Sequence, residues 1–497
     1  MLENFYIPFA ELKFHTILPM FIVIFGAVCT LAVNAFTLKF SRSLNVALCM
    51  LFIAVDLAFV LGLNKFDLGF FGTVRLDGIA ILTQIIILVA SLFFIILAIS
   101  KQRYAEFQTP EFYTLYLFMT AGFQFMVSSD NLILILVGLE IASLSLCALI
   151  AFNDENTGIE AAIKYFIMGV LASAFYALGA MFLYLATGNL EIHNIIAFIY
   201  QNNFEPTLLL IVGFIFMIGA IGFKVSLVPF HTWMPDVYEG SNPVLAGYIS
   251  IVPKIAGFAV AIRLFDVFIK SGIPWVEHLL YVLVVITITL PNIMAFIQED
   301  VKRMLSFSSI SHSGFALACI LINTTQSQNA MYLYWFLFLI TNIGSFSMLW
   351  LTRNKEKIWH SRYEHPYTKF QGLVRLHPMM AILFAIFMFS LAGIPPFAVF
   401  WGKMLAVSAA INTGYIWLAV IMMLNSAIAA YYYLKLIVFM FLKEPVIKPE
   451  NADVYLENTS YPIKGVIGMT AILCCLSIFM VQFLLDIASK YITNSVY

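Results

Sequence analysis

Four side chains that ionise in water lie inside apolar stretches of this sequence. They are Glu140 in NLILILVGLEIASLSLCALIAF, Lys224 in IVGFIFMIGAIGFKVSLVPF, Lys254 in VLAGYISIVPKIAGFAVAI, and Lys403 after AILFAIFMFSLAGIPPFAVFWGK. An ionised group at the centre of a bilayer costs about 3 kcal/mol on insertion scales and is functional by default. A series of titratable groups through a membrane suits the movement of protons or ions. A lysine removed from water gives up its proton more readily, and a carboxylate beside it reverses that tendency. Glu140 and Lys224 are therefore natural partners, able to switch by closing or opening. Lys254 follows Pro253 and lies about 15 Å from either end of its run, too far to snorkel easily to water. Lys403 lies nearer a helix end.

Three further residues are weaker candidates. His312, in LSFSSISHSGF, stands among Ser308, Ser309, Ser311 and Ser313. It can relay a proton near neutral pH, and a satisfied packing histidine is the competing reading. Lys164 is four residues into its predicted helix with Glu160 at i−4, which reads as an ion pair near the surface. Asp56, in LFIAVDLAFVLG, has no evident partner and no assigned role. Tyr431, Tyr432 and Tyr433 beside Lys435 read as interfacial anchors.

The elements that position these residues are helices. The chain is 62% hydrophobic and 11% charged, with 48 phenylalanines. Runs of about 20 apolar residues, each long enough to span a bilayer, recur along its length. Fourteen spans are predicted, at about 16–38, 44–64, 78–100, 112–129, 130–152, 160–187, 206–238, 244–266, 278–298, 302–322, 328–352, 377–411, 415–442 and 463–486. The fourth and fifth nearly touch, so Ser128, Ser129 and Asp130 are expected to form a tight turn. The first run lacks a small-residue cleavage site and reads as a retained helix. The whole chain, 1–497, reads as one polytopic membrane domain.

Loop charge sets the expected orientation. With the N-terminus on side A, that side carries Lys13, Lys65, Arg75, Lys270 and Lys490. Side B carries far more, including Lys39, Arg42, Lys101, Arg103, Lys302, Arg303 and the cluster Arg353, Lys355, Lys357, Arg362, Lys369 and Arg375. Positive loops stay in the cytoplasm, so side B is expected there, with both termini outside.

Two spans contain breaks. FKVSLVPFHTWMPDVYEG places Pro229 and Pro235 in the seventh, and LAGIPPFAVFWGK places Gly393, Pro395 and Pro396 in the twelfth. Proline removes an intrahelical hydrogen bond. A break at membrane depth survives only when buried in protein or facing a wet cavity. The breaks share a Pro-Phe pair, Pro229-Phe230 and Pro396-Phe397, each in the fourth helix of a five-helix block, 112–266 and 278–442. Odd-numbered blocks alternate in orientation, so the two are expected to be inverted repeats around a transport site. The fold class is thus an all-α integral membrane protein of about fourteen transmembrane helices.

The six cysteines all lie in apolar spans without CxxC spacing or a Cys/His cluster, so no iron–sulfur or zinc site is expected. Neither a glycine-rich phosphate loop nor a dinucleotide fingerprint is present. No cofactor or metal is expected in this chain, and the lipid bilayer, not nucleic acid, is its expected surroundings.

The stretch GFKVSLVPFHTWMPDVYEGSNPV followed by PKIAGFAVAIRLF is similar to the core signature of the antiporter-like membrane subunits of respiratory complex I. VKRMLSFSSISHSGF and SLAGIPPFAVFWGK agree with it, and the match runs through about residues 75–440. The resemblance implies roles. Glu140 and Lys224 match the family's fifth- and seventh-helix ion pair, and Lys164 its sixth-helix lysine. Lys254 matches the central proton carrier, Lys403 the terminal group on the exit side, and His312 a bridging polar group. It further implies a bacterial inner membrane, antiporter-like neighbours, and NADH, FMN, iron–sulfur clusters and quinone held by other subunits. Asp56 is outside the pattern. A cation/proton antiporter component is the main alternative, and a scaffold without transport a third reading.

Overall fold

The computed structural model describes residues 12–36, 40–63, 66–102, 104–153, 155–201, 207–271, 273–354, 363–447 and 449–493. Six of the loop cations that set the expected orientation, Lys39, Lys65, Arg103, Lys355, Lys357 and Arg362, lie outside the described residues.

The helices begin with α1 (Leu18–Phe36), α2 (Arg42–Gly62), α3 (Gly78–Ile96), α4 (Pro110–Ser128), α5 (Leu132–Ala151) and α6 (Asn156–Thr187). Next come α7 (Ile192–Gln201), α8 (Leu208–Lys224), α9 (Trp233–Gly240), α10 (Pro243–Ile249), α11 (Val252–Lys270) and α12 (Pro274–Phe296). The rest are α13 (Val301–Ile322), α14 (Thr325–Leu351), the single-turn α15 (Leu373–Leu376), α16 (Pro378–Ala392), α17 (Ala398–Asn412), α18 (Ile416–Leu442) and α19 (Tyr461–Thr493). Eleven helical segments among the described residues, counting α10 and α11 as one, are long and apolar enough to cross a membrane; α8, α16 and α17 are shorter apolar helices.

Helices α11, α13 and α14 are buried along nearly their whole length, whereas α1, α2, α6 and α19 expose broad apolar faces. A helix apolar all round is stable only when buried or in lipid, so the first group forms the centre and the second the outer rim. Small residues set the close crossings. A Cβ on Gly122 would fall 2.6 Å from the Ala142 nitrogen, and one on Gly138 would fall 2.7 Å from that of Met126. This fixes α4 against α5, close to Glu140.

The link from α4 to α5 is short, as expected, but extended. Ser129 bridges to Val74 and Asn131 to Glu191. Val74 belongs to a small hairpin, β1 (Asp67–Gly69) and β2 (Val74–Leu76), in a connection where the apolar runs predict only loop. The seventh and twelfth spans break as expected, between α8 and α9 and between α16 and α17. The eighth is also broken, at Ser250 and Ile251 between α10 and α11. Apolar periodicity runs through that interruption, and only Pro253 marks it.

Each break is stitched. In the first, Leu227 N donates to Gly222 O at 2.7 Å, Val228 N to Thr287 Oγ1 at 3.1 Å, and Trp233 Nε1 to Phe223 O at 3.2 Å. In the second, Gly393 (φ 80°) turns the chain out of α16, and Ile394 N donates to Phe389 O at 3.1 Å. On side B, Lys302 Nζ donates to Ser241 O at 2.9 Å and to Glu364 at 2.8 Å, and Arg353 pairs with Glu106 and Glu364. Burial alone would raise the Glu364 carboxyl, but Lys302 and Arg353 outweigh it and hold it well below the usual range.

Candidate functional site

The centre of the site is Lys254, fixed by the α10–α11 break. Its side chain is 1% exposed. Nζ donates to the Ser309 backbone oxygen at 2.6 Å and to Ser309 Oγ at 2.7 Å. The Ser309 hydroxyl lies 3.4 Å from Tyr238 OH and 3.4 Å from Ser250 O, at the break itself. Asn342 bonds Ser250 Oγ. Lys254 thus ends in a shell of neutral hydroxyls and carbonyls that solvate an ammonium without fixing it as an ion pair.

One turn along α13 stands His312. Its Nδ1 meets Tyr334 OH, and its Nε2 lies 3.2 Å from Tyr433 OH. Tyr433 also bonds Ser308. Both ring nitrogens have a hydroxyl partner, so the imidazole can take a proton on one side and release it on the other. His312 is within electrostatic reach of both Lys254 and Lys403.

Lys403 completes the line. Nζ donates to Leu391 O and Ala392 O, both at 3.3 Å, and to Ser426 Oγ at 3.2 Å, and sits 5.5 Å from the Phe315 ring centroid. Those carbonyls end α16, where the helix dipole favours a cation. The second break therefore creates the seat of Lys403. A cavity of about 390 Å³, lined by Phe315, Met422, Met423, Ser426 and Ala430, reaches this lysine.

At the other end, Lys224 closes α8 at the first break. Nζ donates to Ser143 Oγ at 2.8 Å and to Tyr165 OH at 3.3 Å, and lies 5.0 Å from the Phe123 ring centroid. Gly257 lets α11 pass close to the end of α8, because a Cβ there would meet Val225 Cγ1 at 2.5 Å. The expected direct contact with Glu140 is not formed. Glu140 accepts from Ser173 instead. It stands on the outward stripe of α5 with Ile133, Val137 and Leu144, half-buried, within electrostatic reach of Lys224 but without an ion pair to it. Its central place in an apolar run fixes its depth in the membrane but not the face it occupies.

Lys164 is also placed differently. The helix begins at Asn156 rather than near 160, so Lys164 lies two turns in. It pairs with Glu160 as expected, and with Asp236, each at 2.7 Å. Arg303 joins Asp236 and Glu239 to the group. Tyr432 and Tyr433 are 1% and 0% exposed, which corrects their reading as anchors; of the three, Tyr431 alone faces outward. Their inward position follows the spacing Asn425, Ala429, Tyr432, Leu436 and Met440, all buried on one face of α18. Tyr334 and Tyr238 carry no signal in the sequence beyond their type. Among the described residues no group of three or more His, Cys, Asp or Glu is placed to hold a metal.

Known proteins resemble this chain in sequence and in fold. The family model described as NADH:quinone oxidoreductase/Mrp antiporter, TM, matches residues 129–429. Curated relatives named NADH-quinone oxidoreductase subunit N include one from Helicobacter acinonychis, 54% identical over 98% of this chain and 99% of its own. Another, from Sulfurimonas denitrificans, is 50% identical over the full length of both. Among solved structures, a chain of respiratory complex I from Thermus thermophilus with bound aureothin superposes with a TM-score of 0.79 at 27% identity, covering 95% of this chain and 99% of that one. A chain of the Mrp complex from Dietzia sp. shares the fold at a TM-score of 0.81 and 18% identity, with 97% of each covered.

Proposed function

The chain belongs to the subunit N family of NADH-quinone oxidoreductase, and from that premise we propose that it carries protons along the line Glu140, Lys224, Lys254, His312 and Lys403. The observation that supports this most is the environment of Lys254. A cation buried at the centre, bonded among the described residues to Ser309 and one turn from a histidine with a hydroxyl on each nitrogen, is a poor structural strut and a good proton station.

Each step moves one proton between heteroatoms. Lys254 Nζ passes a proton towards the Ser309 hydroxyl. His312 exchanges protons between Tyr334 and Tyr433. Lys403 holds one against the carbonyls at the end of α16. Two half-channels, one in each inverted five-helix block (112–266 and 278–442), would supply and drain this line, and fourteen crossings would place both termini on the periplasmic side of the bacterial inner membrane. Lys164, with Asp236 and Arg303, would hold the cytoplasmic end of the first block in register. NADH oxidation and quinone reduction, with FMN and iron–sulfur clusters, would belong to other subunits, and antiporter-like subunits would be the neighbours.

A cation/proton antiporter is the second reading, supported by the shared Mrp fold. The high identity to subunit N relatives weighs against it. Purification from native membranes distinguishes them: flavin and iron–sulfur subunits co-purify in the first case and not in the second.

A further inference from the structure

The lysine line leaves a buried membrane-span acid, Asp56, without a task. Asp56 of α2 is 0% exposed. It sits six residues, about 9 Å, from the side-A end of its helix at Gly62. Gln124 Nε2 of α4 donates to Oδ2 at 2.6 Å. Its other oxygen, Oδ1, has no partner among the described residues, and neither do the amide oxygens of Gln84 and Gln124. No ion pair reaches it within the described residues. A charged carboxylate here would meet one amide donor and hydrocarbon. A protonated one would add a donor where three buried oxygens lack one.

The surroundings form a column. Tyr116, Thr120, Gln124 and Ser128 recur every fourth residue on α4 and all are buried. Towards side A, Gln84 Nε2 donates to Ser128 Oγ at 2.5 Å. Two residues on, Asp130 bonds His193 at the side-A face. Towards the centre, Thr120 Oγ1 lies 3.4 Å from both Ser91 Oγ and Tyr248 OH. Tyr248 belongs to α10, which ends at the break carrying Lys254.

We propose that Asp56 is a second proton-binding site, reached from side A through Ser128, Gln84 and Gln124 and separate from the lysine line. The proton forms an O–H bond on Oδ1 and leaves by the same atom, restoring the carboxylate; no other bond changes. The proposal rests on the chain's role in proton transfer and adds a site to it.

The test uses the intact complex in sealed vesicles. Asp56→Asn keeps size and hydrogen bonding and removes the exchangeable carboxyl proton. It is expected to keep NADH oxidation while losing at least half of the protons pumped per NADH. It should also remove a protonated-carboxyl carbonyl band from the infrared difference spectrum of turnover. Full pumping with an unchanged carbonyl spectrum would overturn the proposal. Gln124→Leu deletes the amide donor to Asp56 and should shift that band while leaving Asp56 in place; an unmoved band would also overturn it. If Asp56→Asn fails to assemble, the Gln124 variant decides alone. Lys254→Ala, run in parallel, reports on the lysine line independently: full pumping there sinks that reading without touching the Asp56 band.

Discussion

Lys254 shows what a single residue contributes here. Among the described residues its ammonium is bonded through Ser309, so Lys254→Ala removes a cation without stranding a buried carboxylate. The complex should assemble, and this chain's share of proton pumping should fall by about 100-fold or more, of the size seen when an acid–base group is lost. Lys254→Arg should fail equally, because guanidinium keeps its charge and cannot release a proton. Full pumping in the Arg variant, measured by dye quenching in vesicles, would exclude protonation cycling at this position. The separation of Glu140 from Lys224 changes the expectation for that pair. Coupling through space rather than contact should appear in a double-variant cycle of Glu140→Gln and Lys224→Met as about 0.5–1 kcal/mol. Strictly additive effects would remove Glu140 from the line. The lysines were legible in the sequence because an apolar run tolerates a charge only where the protein solvates it. The tyrosine hydroxyls around His312 were not: Tyr433 beside Lys435 looks the same in sequence whether it faces lipid headgroups or that histidine.

At the scale of elements, the breaks make the seats for these cations. Gly393 is the sharpest case, with φ 80° and an added Cβ 3.0 Å from Lys403 Cδ and 3.3 Å from its Nζ. Gly393→Ala should cost about 1–2 kcal/mol in backbone strain and push Lys403 off the α16 carbonyls. The expected result is an assembled complex with a lower melting temperature and impaired pumping; unchanged pumping would separate the seat from the function. The side-B latch gives a pH test outside the membrane. Because the Glu364 carboxyl is held below its ordinary range, its stabilisation is present above that range and is lost only as pH falls through the lower folded value. Amide exchange across residues 363–370 should stay slow down to about pH 5, whereas Glu364→Gln should quicken it already at neutral pH. Equal exchange in both at neutral pH would remove the latch. Two breaks were readable from Pro-Phe and Gly-Pro clusters, which leave few conformations open. The third was not, because Ser250 and Ile251 interrupt a continuous apolar run with only Pro253 beside them and no second proline.

For the molecule as a whole, loop charge predicts side B, with residues 353–376, in the cytoplasm and the C-terminus opposite. Single cysteines at 357 and 490 should differ in intact cells, only the latter reacting with an impermeant reagent. Reaction at both would overturn the orientation. The succession of apolar helices was visible in the sequence because length and hydropathy fix it. Which face each helix presents was not, since α5 and α6 are apolar nearly all round. That ambiguity hid the position of Glu140. Its half-covered place on the flank has a meaning for biogenesis as well as for transport. Until another surface covers it, the newly inserted chain holds an acid against lipid, with a penalty of up to about 3 kcal/mol. A neighbouring surface that covered this flank would relieve the penalty, and an orphan chain would keep it.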